Sequence, residues 1–336
     1  MRRSRALTAV FLFALPTLTL AISLFIGRYS ASPRTVIELL LSKTLGIGDQ
    51  TWPRTLEAAI LQVRLPRVML ALLVGASLSV SGASLQGLYR NPLVSAHVLG
   101  VANGAAFGAA LAILLAAPFA GVQLSAFLFG LLAVAITYAI SRIYQGSSTL
   151  TMVLAGMIVA SFFSALVSLA KYMADPLERL PAITFWLMGS LASASMRDLR
   201  LALPPMLLGM GGLLAVRWRI NVLSMGEEEA QAMGVDTRVW GAFIVVCSTL
   251  ATAAAVCVSG VVGFVGVVIP HIARILVGPD HKALLPASIV LGSAYFLIMD
   301  DLARSLTTGE IPLSILTGLI GTPIFAYLLL RGSGWS

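Results

Sequence analysis

The chain has 336 residues, of which 58% are hydrophobic and 11% are charged, and its mean hydropathy is +0.95. Apolar surface on this scale cannot be hidden in the core of one water-soluble domain, so a soluble fold is excluded and lipid must solvate most of the chain. The net charge of +8 does not indicate nucleic-acid binding, because the basic residues are scattered around helix ends without interleaved aromatic residues. Contact with lipid headgroups explains them better.

Ten apolar stretches follow one another along the sequence. A helix needs about 20 apolar residues to cross about 30 Å of hydrocarbon, and these stretches are continuous rather than alternating, which predicts helices. We therefore predict an all-α, multi-pass membrane protein in which residues 1–336 form one transmembrane domain. The predicted spans are Leu7–Gly27, Leu65–Leu88, Val98–Ala117, Phe119–Arg142, Thr151–Met173, Leu199–Trp218, Val239–Val258, Val261–Val277, Leu284–Ala303 and Ile311–Leu330.

The orientation in the membrane is predicted from the N-terminus. The first span follows Arg2, Arg3 and Arg5, and many spans come after it, which predicts a retained anchor rather than a cleaved signal peptide. Basic residues favour the cytoplasmic side, so the N-terminus is expected inside the cell. Ten spans then place the C-terminus inside as well. Lysine and arginine are evenly divided between the two sides and add nothing to this prediction.

A local pattern occurs twice, which predicts an inverted internal repeat. Val80–Gly82 recurs 178 residues later as Val258–Gly260, and Pro92 recurs at the same offset as Pro270. On the predicted topology the two copies cross the membrane in opposite directions. Interrupted helices at corresponding positions line pathways in such proteins, so helix breaks are expected at Asn91-Pro92 and at Pro270.

One segment, residues 217–238, is strongly charged. It carries seven charged side chains between two apolar stretches, and the predicted topology places it in the cytoplasm. Acidic residues favour a helix N-terminus and glycine favours a C-terminus, so Ser224–Gly234 predicts a short helix that meets water and a partner protein. An irregular solvated loop is the alternative.

The sequence offers no energy source of its own. It contains no Gly-x-x-x-x-Gly-Lys-Ser/Thr loop for ATP phosphates, and its three histidines have no ligand neighbours at metal-binding spacing, so no metal site is expected. Acidic residues lie near helix ends, which does not favour an ion-coupled carrier. Asp300 and Asp301 come closest to the membrane interior, and Arg304 is spaced to pair with them. Energy is therefore expected from a partner at the charged segment.

Seven short motifs occur in order along nearly the whole chain. They are Arg64-Leu65-Pro66-Arg67, Gly82-Ala83-x-x-Gln86, Arg90-Asn91-Pro92-Leu93, Leu99-Gly100-Val101-x-x-Gly104-Ala105, Gly226-Glu227-x-x-Ala230-x-x-x-Gly234, Gly263-Phe264-Val265-Gly266-x-x-x-Pro270-His271-x-x-Arg274 and Gly321-x-Pro323-x-Phe325. Each motif is weak alone, but the set is specific. The chain resembles the FecCD-type permease subunits of ABC importers for iron-siderophores, haem and cobalamin.

The resemblance implies a multi-subunit transporter. Its parts would be a homodimer or close heterodimer of ten-helix permeases in the bacterial inner membrane, two cytoplasmic ATPase subunits and a substrate-binding protein outside. The ATPase would bind ATP and Mg, so this chain would hold no cofactor and would not be an enzyme. The fifth and tenth helices would line the central pathway.

The resemblance also assigns roles to particular residues. The ATPase contact would be formed by Gly226, Glu227, Glu228, Glu229, Ala230 and Gly234. Arg64, Arg67 and Arg304 would dock the binding protein, because a guanidinium group can hold a carboxylate with two parallel hydrogen bonds. Contact with lipid headgroups is the alternative for these arginines. The inner gate would be formed by Ser147, Ser148 and Thr149, just before the fifth span.

The cargo is predicted from one stretch. Thr184–Leu191 is more similar to the iron-chelate and haem branch of the family than to the cobalamin branch. Lys171 and Arg179, near the predicted outer mouth, could attract an anionic chelate or could anchor helices at the membrane interface. We therefore expect an importer permease for an iron chelate, either a siderophore complex or haem. The alternatives are a cobalamin importer and, from another class, an ion-coupled secondary transporter.

Overall fold

The computed structural model describes residues 2–27, 32–45, 52–143 and 149–330. Within these ranges all regular structure is helical, which confirms the predicted all-α fold. The helices are α1 (Arg2–Phe25), α2 (Pro33–Leu45), α3 (Arg54–Ala58), α4 (Leu65–Tyr89), α5 (Val101–Leu114), α6 (Phe119–Ile143), α7 (Thr149–Met173), α8 (Arg179–Met188), α9 (Met196–Ala215), α10 (Arg217–Leu223), α11 (Glu227–Ala232), α12 (Thr237–Ser259), α13 (Val265–Val277), α14 (His281–Ser305) and α15 (Leu313–Leu330). A π-helical segment, Ala59–Arg64, joins α3 to α4.

Each of the ten predicted spans coincides with a helix. Six stretches of the described residues are long and apolar enough to cross a bilayer: Arg54–Tyr89, Phe119–Ile143, Thr151–Met173, Met196–Ala215, Thr237–Ser259 and His281–Ser305. Four others are apolar but shorter: Ala14–Phe25, Val101–Leu114, Val265–Val277 and Leu313–Leu328. The protein is therefore a multi-pass membrane protein, and the count of ten crossings stays a prediction.

Helix α4 lies at the centre of the bundle. Most of its residues are buried, and α9, α12, α13 and α14 pack against it. A Cβ atom on Gly75 would overlap the backbone of Gly292 in α14, and one on Gly82 would overlap the backbone of Gly266 in α13. Small residues allow such close approach of helices in membranes. The glycines therefore set the distances of α13 and α14 from α4.

The chain is irregular between α4 and α5. Arg90 ends α4 in a left-handed conformation, with φ of 49°. Asn91 Oδ1 accepts a hydrogen bond from the backbone N–H of Leu93 at 2.9 Å, and Pro92 has no backbone N–H with which to continue a helix. Residues 94–96 of this segment are buried, whereas Arg90 and Leu93 at the break itself are exposed.

The second interruption is not at Ile269-Pro270, where the sequence pattern placed it. Pro270 lies inside α13, and the irregular backbone is at residues 260–264. Proline cannot donate to the carbonyl four residues earlier, which belongs to Gly266. Gln86 Nε2 lies 3.5 Å from that carbonyl oxygen. A side chain of α4 thus partly replaces the missing donor, and α13 continues through Pro270.

The residues between α1 and α4 have a small core of their own. Its buried members are Val36, Leu39, Trp52, Leu56 and Ile60. Lys43 Nζ and Glu57 Oε1 form an ion pair of 2.6 Å beside it. Helical backbone runs without a break from Arg54 to Tyr89, so this helix begins well before Leu65, where the span was predicted to start.

Candidate coupling segment and ion-pair network

A short acidic helix projects from one end of the bundle. Helix α11 begins with Glu227, Glu228 and Glu229, whose side chains are exposed. Carboxylates in the first turn interact favourably with the partial positive charge of a helix N-terminus. The predicted short helix is confirmed, and an irregular loop is excluded here. We call residues 226–234 the coupling segment.

Glycines and two buried side chains hold the coupling segment in place. Gly226 and Gly234 have φ values of 145° and 76°, which residues with side chains rarely adopt. Ala230 and Val235 are buried in the main core together with Ile220 of α10. A six-residue helix is not stable alone in water. This anchorage therefore fixes where the three glutamates lie.

Apolar side chains flank the glutamates. Met225 is 58% exposed and Met233 is 53% exposed. Methionine is enriched in protein interfaces, where its flexible side chain adapts to a partner. The surface thus combines three carboxylates with two thioethers, which suits contact with another protein better than contact with lipid.

At the other end of α4, Arg67 lies between two carboxylates. Its Nε and Nη2 donate to the carboxylate oxygens of Asp300 at 2.9–3.1 Å. Its Nη1 and Nη2 donate to Oε1 and Oε2 of Glu310 at 2.8 and 2.9 Å. The planar guanidinium fork is suited to such paired contacts. Arg67 and Asp300 are buried, and Glu310 is partly exposed.

A second ion pair lies beside the first. Arg304 donates to Asp301 Oδ1 through Nε at 3.2 Å and through Nη2, and its Nε lies 3.9 Å from Asp300 Oδ2. Ser23 Oγ accepts from Arg304 Nη2 at 2.7 Å and donates to Asp301 Oδ1 at 2.7 Å. The predicted pairing of Arg304 with both aspartates is confirmed, and Ser23 joins α1 to this network.

The three arginines assigned to docking gather at this end. Arg64 Nη1 donates to the carbonyl oxygen of Leu24 at 3.1 Å. All three arginine side chains are buried, with 5–6% of each residue exposed. A carboxylate from outside would have to displace the chain's own partners of Arg67 and Arg304. Docking by these arginines therefore stays a prediction, and the network first of all joins α1, α4 and α14.

The predicted gate falls mainly outside the described part of the chain. Ser147 and Ser148 lie outside the described residues. Thr149 is the first residue of α7, the helix that corresponds to the fifth predicted span. The gate role is a prediction.

The two basic residues proposed near the outer mouth lie close to helix ends. Arg179 Nη1 donates to the carbonyl oxygen of Ile113, in the last turn of α5, at 3.1 Å. A basic side chain at a helix C-terminus adds a hydrogen bond to one of the last carbonyl groups and interacts favourably with the helix dipole. This contact favours anchoring over cargo attraction for Arg179. Lys171 lies in the last turn of α7.

The structure adds polar residues that sequence reasoning did not select, namely Ser23, Asn221 and Glu310. Glu310 is 243 positions from Arg67, so no local spacing connects them. The one available signal was that Glu310 is the only acidic residue after Asp301. Across the described residues, no group of three or more His, Cys, Asp or Glu side chains is placed to hold a metal ion.

The whole fold matches a solved structure. That structure is a metal-chelate type ABC transporter in an inward-facing conformation, with a TM-score of 0.85 and 42% sequence identity. The match covers 95% of this chain and 97% of the other. The helical bundle is thus a membrane permease of the ABC-transporter class.

The FecCD transport family matches residues 15–331. The chain belongs to this family, which confirms the resemblance drawn from its motifs. It is 43% identical over 314 residues to the molybdate import system permease protein MolB of Haemophilus influenzae, covering 94% of this chain and 92% of that protein.

Two further relatives have names that state other cargoes. The chain is 39% identical to an iron chelatin transport system permease of Helicobacter pylori, covering 83% of this chain and 85% of that protein. It is 41% identical to the cobalamin import system permease BtuC of Halobacterium salinarum, covering 82% and 74%. Family membership therefore makes the chain an ABC importer permease but does not fix its cargo.

Proposed function

We propose that this chain is the permease subunit of an ATP-driven importer. The importer carries an iron chelate, either a siderophore complex or haem, across a bacterial inner membrane into the cytoplasm. The observation that carries the proposal is the coupling segment, a fixed acidic surface on a chain otherwise adapted to lipid. ATP and Mg are bound by a separate ATPase subunit, and this chain is not an enzyme. A second permease, in a homodimer or heterodimer, completes the pathway.

The proposed mechanism is mechanical. An ATPase that closes on the coupling segment pushes on three exposed carboxylates. Ala230 and Val235 are packed in the main core with Ile220, so the force passes to α10 and the bundle instead of bending a free loop. A substrate-binding protein delivers the cargo at the other end.

The cargo assignment depends on Thr184–Leu191, at the end of α8. Phe185 in this stretch is 53% exposed, and the carbonyl of Gly189 accepts from the backbone N–H of Leu313, at the start of α15, at 2.9 Å. Helix α15 corresponds to the tenth span, which the resemblance places on the pathway. An exposed aromatic ring there suits a bulky, partly apolar chelate better than a small oxyanion.

A transport assay tests the proposal and separates the alternatives. The permease would be reconstituted in liposomes with its ATPase and its substrate-binding protein. ATP-dependent uptake of ferrichrome labelled with radioactive iron, or of haem, is the expected result. Preferred uptake of cobalamin or molybdate would reassign the cargo. Uptake by the permease alone, driven by a proton gradient, would establish an ion-coupled carrier instead.

The coupling role has a matched test. Glu227→Lys combined with Glu228→Lys reverses two charges on the coupling segment, so we expect ATPase association to weaken at least tenfold while the permease stays folded. Glu38→Lys combined with Glu178→Lys makes the same total charge change at two positions outside the segment, of which Glu178 is exposed and Glu38 is partly exposed, and should leave association unchanged. If the Glu227→Lys, Glu228→Lys variant bound the ATPase normally, the glutamates would serve only to keep the segment in water.

A further inference from the structure

Asn221 of α10 forms polar contacts between the charged segment and α14. Its Nδ2 donates to Asp280 Oδ1 at 2.6 Å. Its Oδ1 accepts from the backbone N–H of His281 at 2.8 Å and lies 2.8 Å from His281 Nδ1. One amide side chain thus uses both its donor and its acceptor at the N-terminus of α14.

The partner of this amide is itself fixed. Asp280 is the N-cap of α14, and its Oδ1 also accepts from the backbone N–H of Lys282 at 2.9 Å. The hydrogen bonds from Lys282 and then from Asn221 hold the pKa of Asp280 below its ordinary value, so Asp280 is ionised at neutral pH. The bond from Asn221 is therefore charge-assisted, which makes it stronger and more directional than a neutral one.

Rigid elements lie on both sides of this contact. Ala230 of α11 and Ile220 of α10 share the main core, so α11 and α10 are expected to move together. Helix α14 has 25 residues, which is about 37 Å at 1.5 Å per residue. Its backbone touches α4 at Gly292, and its far end carries Asp300 in the ion-pair network.

We propose that Asn221 is a positioning residue through which a displacement of the coupling segment is passed to α14, beside the 3.3 Å contact of Arg217 Nη1 with the carbonyl oxygen of Lys282. The inference rests on the proposed function, because it requires an ATPase that acts on residues 226–234. The paired hydrogen bonds of Asn221 add a directional contact between α10 and the first turn of α14 to the apolar packing of these helices in the main core. A movement of α10 is then shared by α14 along its length.

The test measures cargo transported per ATP hydrolysed in the full reconstituted complex, with radioactive ferrichrome as the probe, or whichever cargo the transport assay identifies. Asn221→Leu keeps a similar volume and removes all three contacts. We expect unchanged ATPase association and continued ATP hydrolysis. The ratio of cargo transported to ATP hydrolysed should fall about fivefold or more, since fivefold is the lower end of the usual energetic coupling between two sites. Ser224→Ala is the control, because it removes a 2.7 Å bond to the carbonyl of Asn221 within the same segment.

An exchange of side chains makes the test decisive even if Asn221→Leu does not assemble. Asn221→Asp alone brings a second carboxylate against Asp280 and should lower the ratio. Adding Asp280→Asn restores a donor facing an acceptor, so the ratio should recover to within about twofold of the wild type. A purely structural role would change the amount of complex but not the ratio.

Two results separate this inference from the proposed function. An unchanged ratio in Asn221→Asp, or no recovery in the exchanged pair, would overturn the role of Asn221 and leave the importer intact. Absence of ATP-driven uptake by the wild-type complex for all tested cargoes would instead remove the proposed function.

Discussion

Replacing Asp300 by asparagine is expected to destabilise the protein strongly. Asp300→Asn keeps the size of the side chain but replaces the negatively charged carboxylate whose oxygens accept three hydrogen bonds from Arg67. Loss of one partner from a buried ion pair costs about 3–5 kcal/mol, because the remaining charge is left without compensation. Glu310 still pairs with Arg67, so we expect the lower end, about 3 kcal/mol. For a chain of 336 residues this corresponds to a fall in Tm of about 4 °C.

The chain carries its own reporter for this measurement. Cys247 and Cys257 are free and buried, so a thiol-reactive fluorophore should label them only as the protein unfolds. A thermal ramp in detergent then gives Tm from the rise in fluorescence. The same protein without mutation sets the reference, and no engineered cysteine is needed.

An exposed ion pair supplies the control for Asp300→Asn. Arg34 Nε and Glu38 Oε1 lie 2.8 Å apart, and the Arg34 side chain is 89% exposed. Exposed pairs contribute about 0–1 kcal/mol, so Glu38→Gln should shift Tm by no more than about 2 °C. An equally small shift for Asp300→Asn would refute the reasoning, since the buried pair would then contribute no more than an exposed one.

Two further predictions concern helix packing and docking. Gly75→Leu should prevent folding or lower Tm by more than 10 °C, because the side chain would overlap the backbone of Gly292. Gly211→Leu is the control and should leave Tm nearly unchanged, because nothing lies within 4 Å of that position. Similar Tm values for both variants would contradict the close α4–α14 contact. Glu310→Gln removes a carboxylate that competes with the binding protein for Arg67, so the binding protein should dock about tenfold more tightly, equivalent to about 1.4 kcal/mol. Surface plasmon resonance measures this affinity. An unchanged affinity would mean that Arg67 has only a structural role.

The helices and the coupling segment could be predicted because their signals are local. Ten apolar runs fall on ten helices of the structure, since the length needed to cross hydrocarbon is visible within each run. The short helix α11 was likewise visible, because it begins with three glutamates and Gly234 follows it. The family was recognisable from motif order, although no single motif was specific.

The missed features depend on contacts between distant parts of the chain. Pro270 reads as a helix break, but Gln86 approaches the carbonyl that it leaves free, and sequence spacing cannot reveal such a contact. Arg67 reads as an outward-facing charge, yet its carboxylate partners lie on α14 and on the segment that follows it. Whether a charged side chain is buried depends on which residues surround it, and the fold determines those residues.

The glycines at the two ends of the coupling segment have a consequence for how this sequence can vary. Each residue of an α-helix turns it by about 100°, so inserting or deleting one residue between Gly226 and Ala230 would rotate the glutamates away from their exposed face. Substitution of a single glutamate leaves that geometry intact. Related sequences should therefore keep the number of residues between the two glycines constant even where individual residues at positions 227–229 differ.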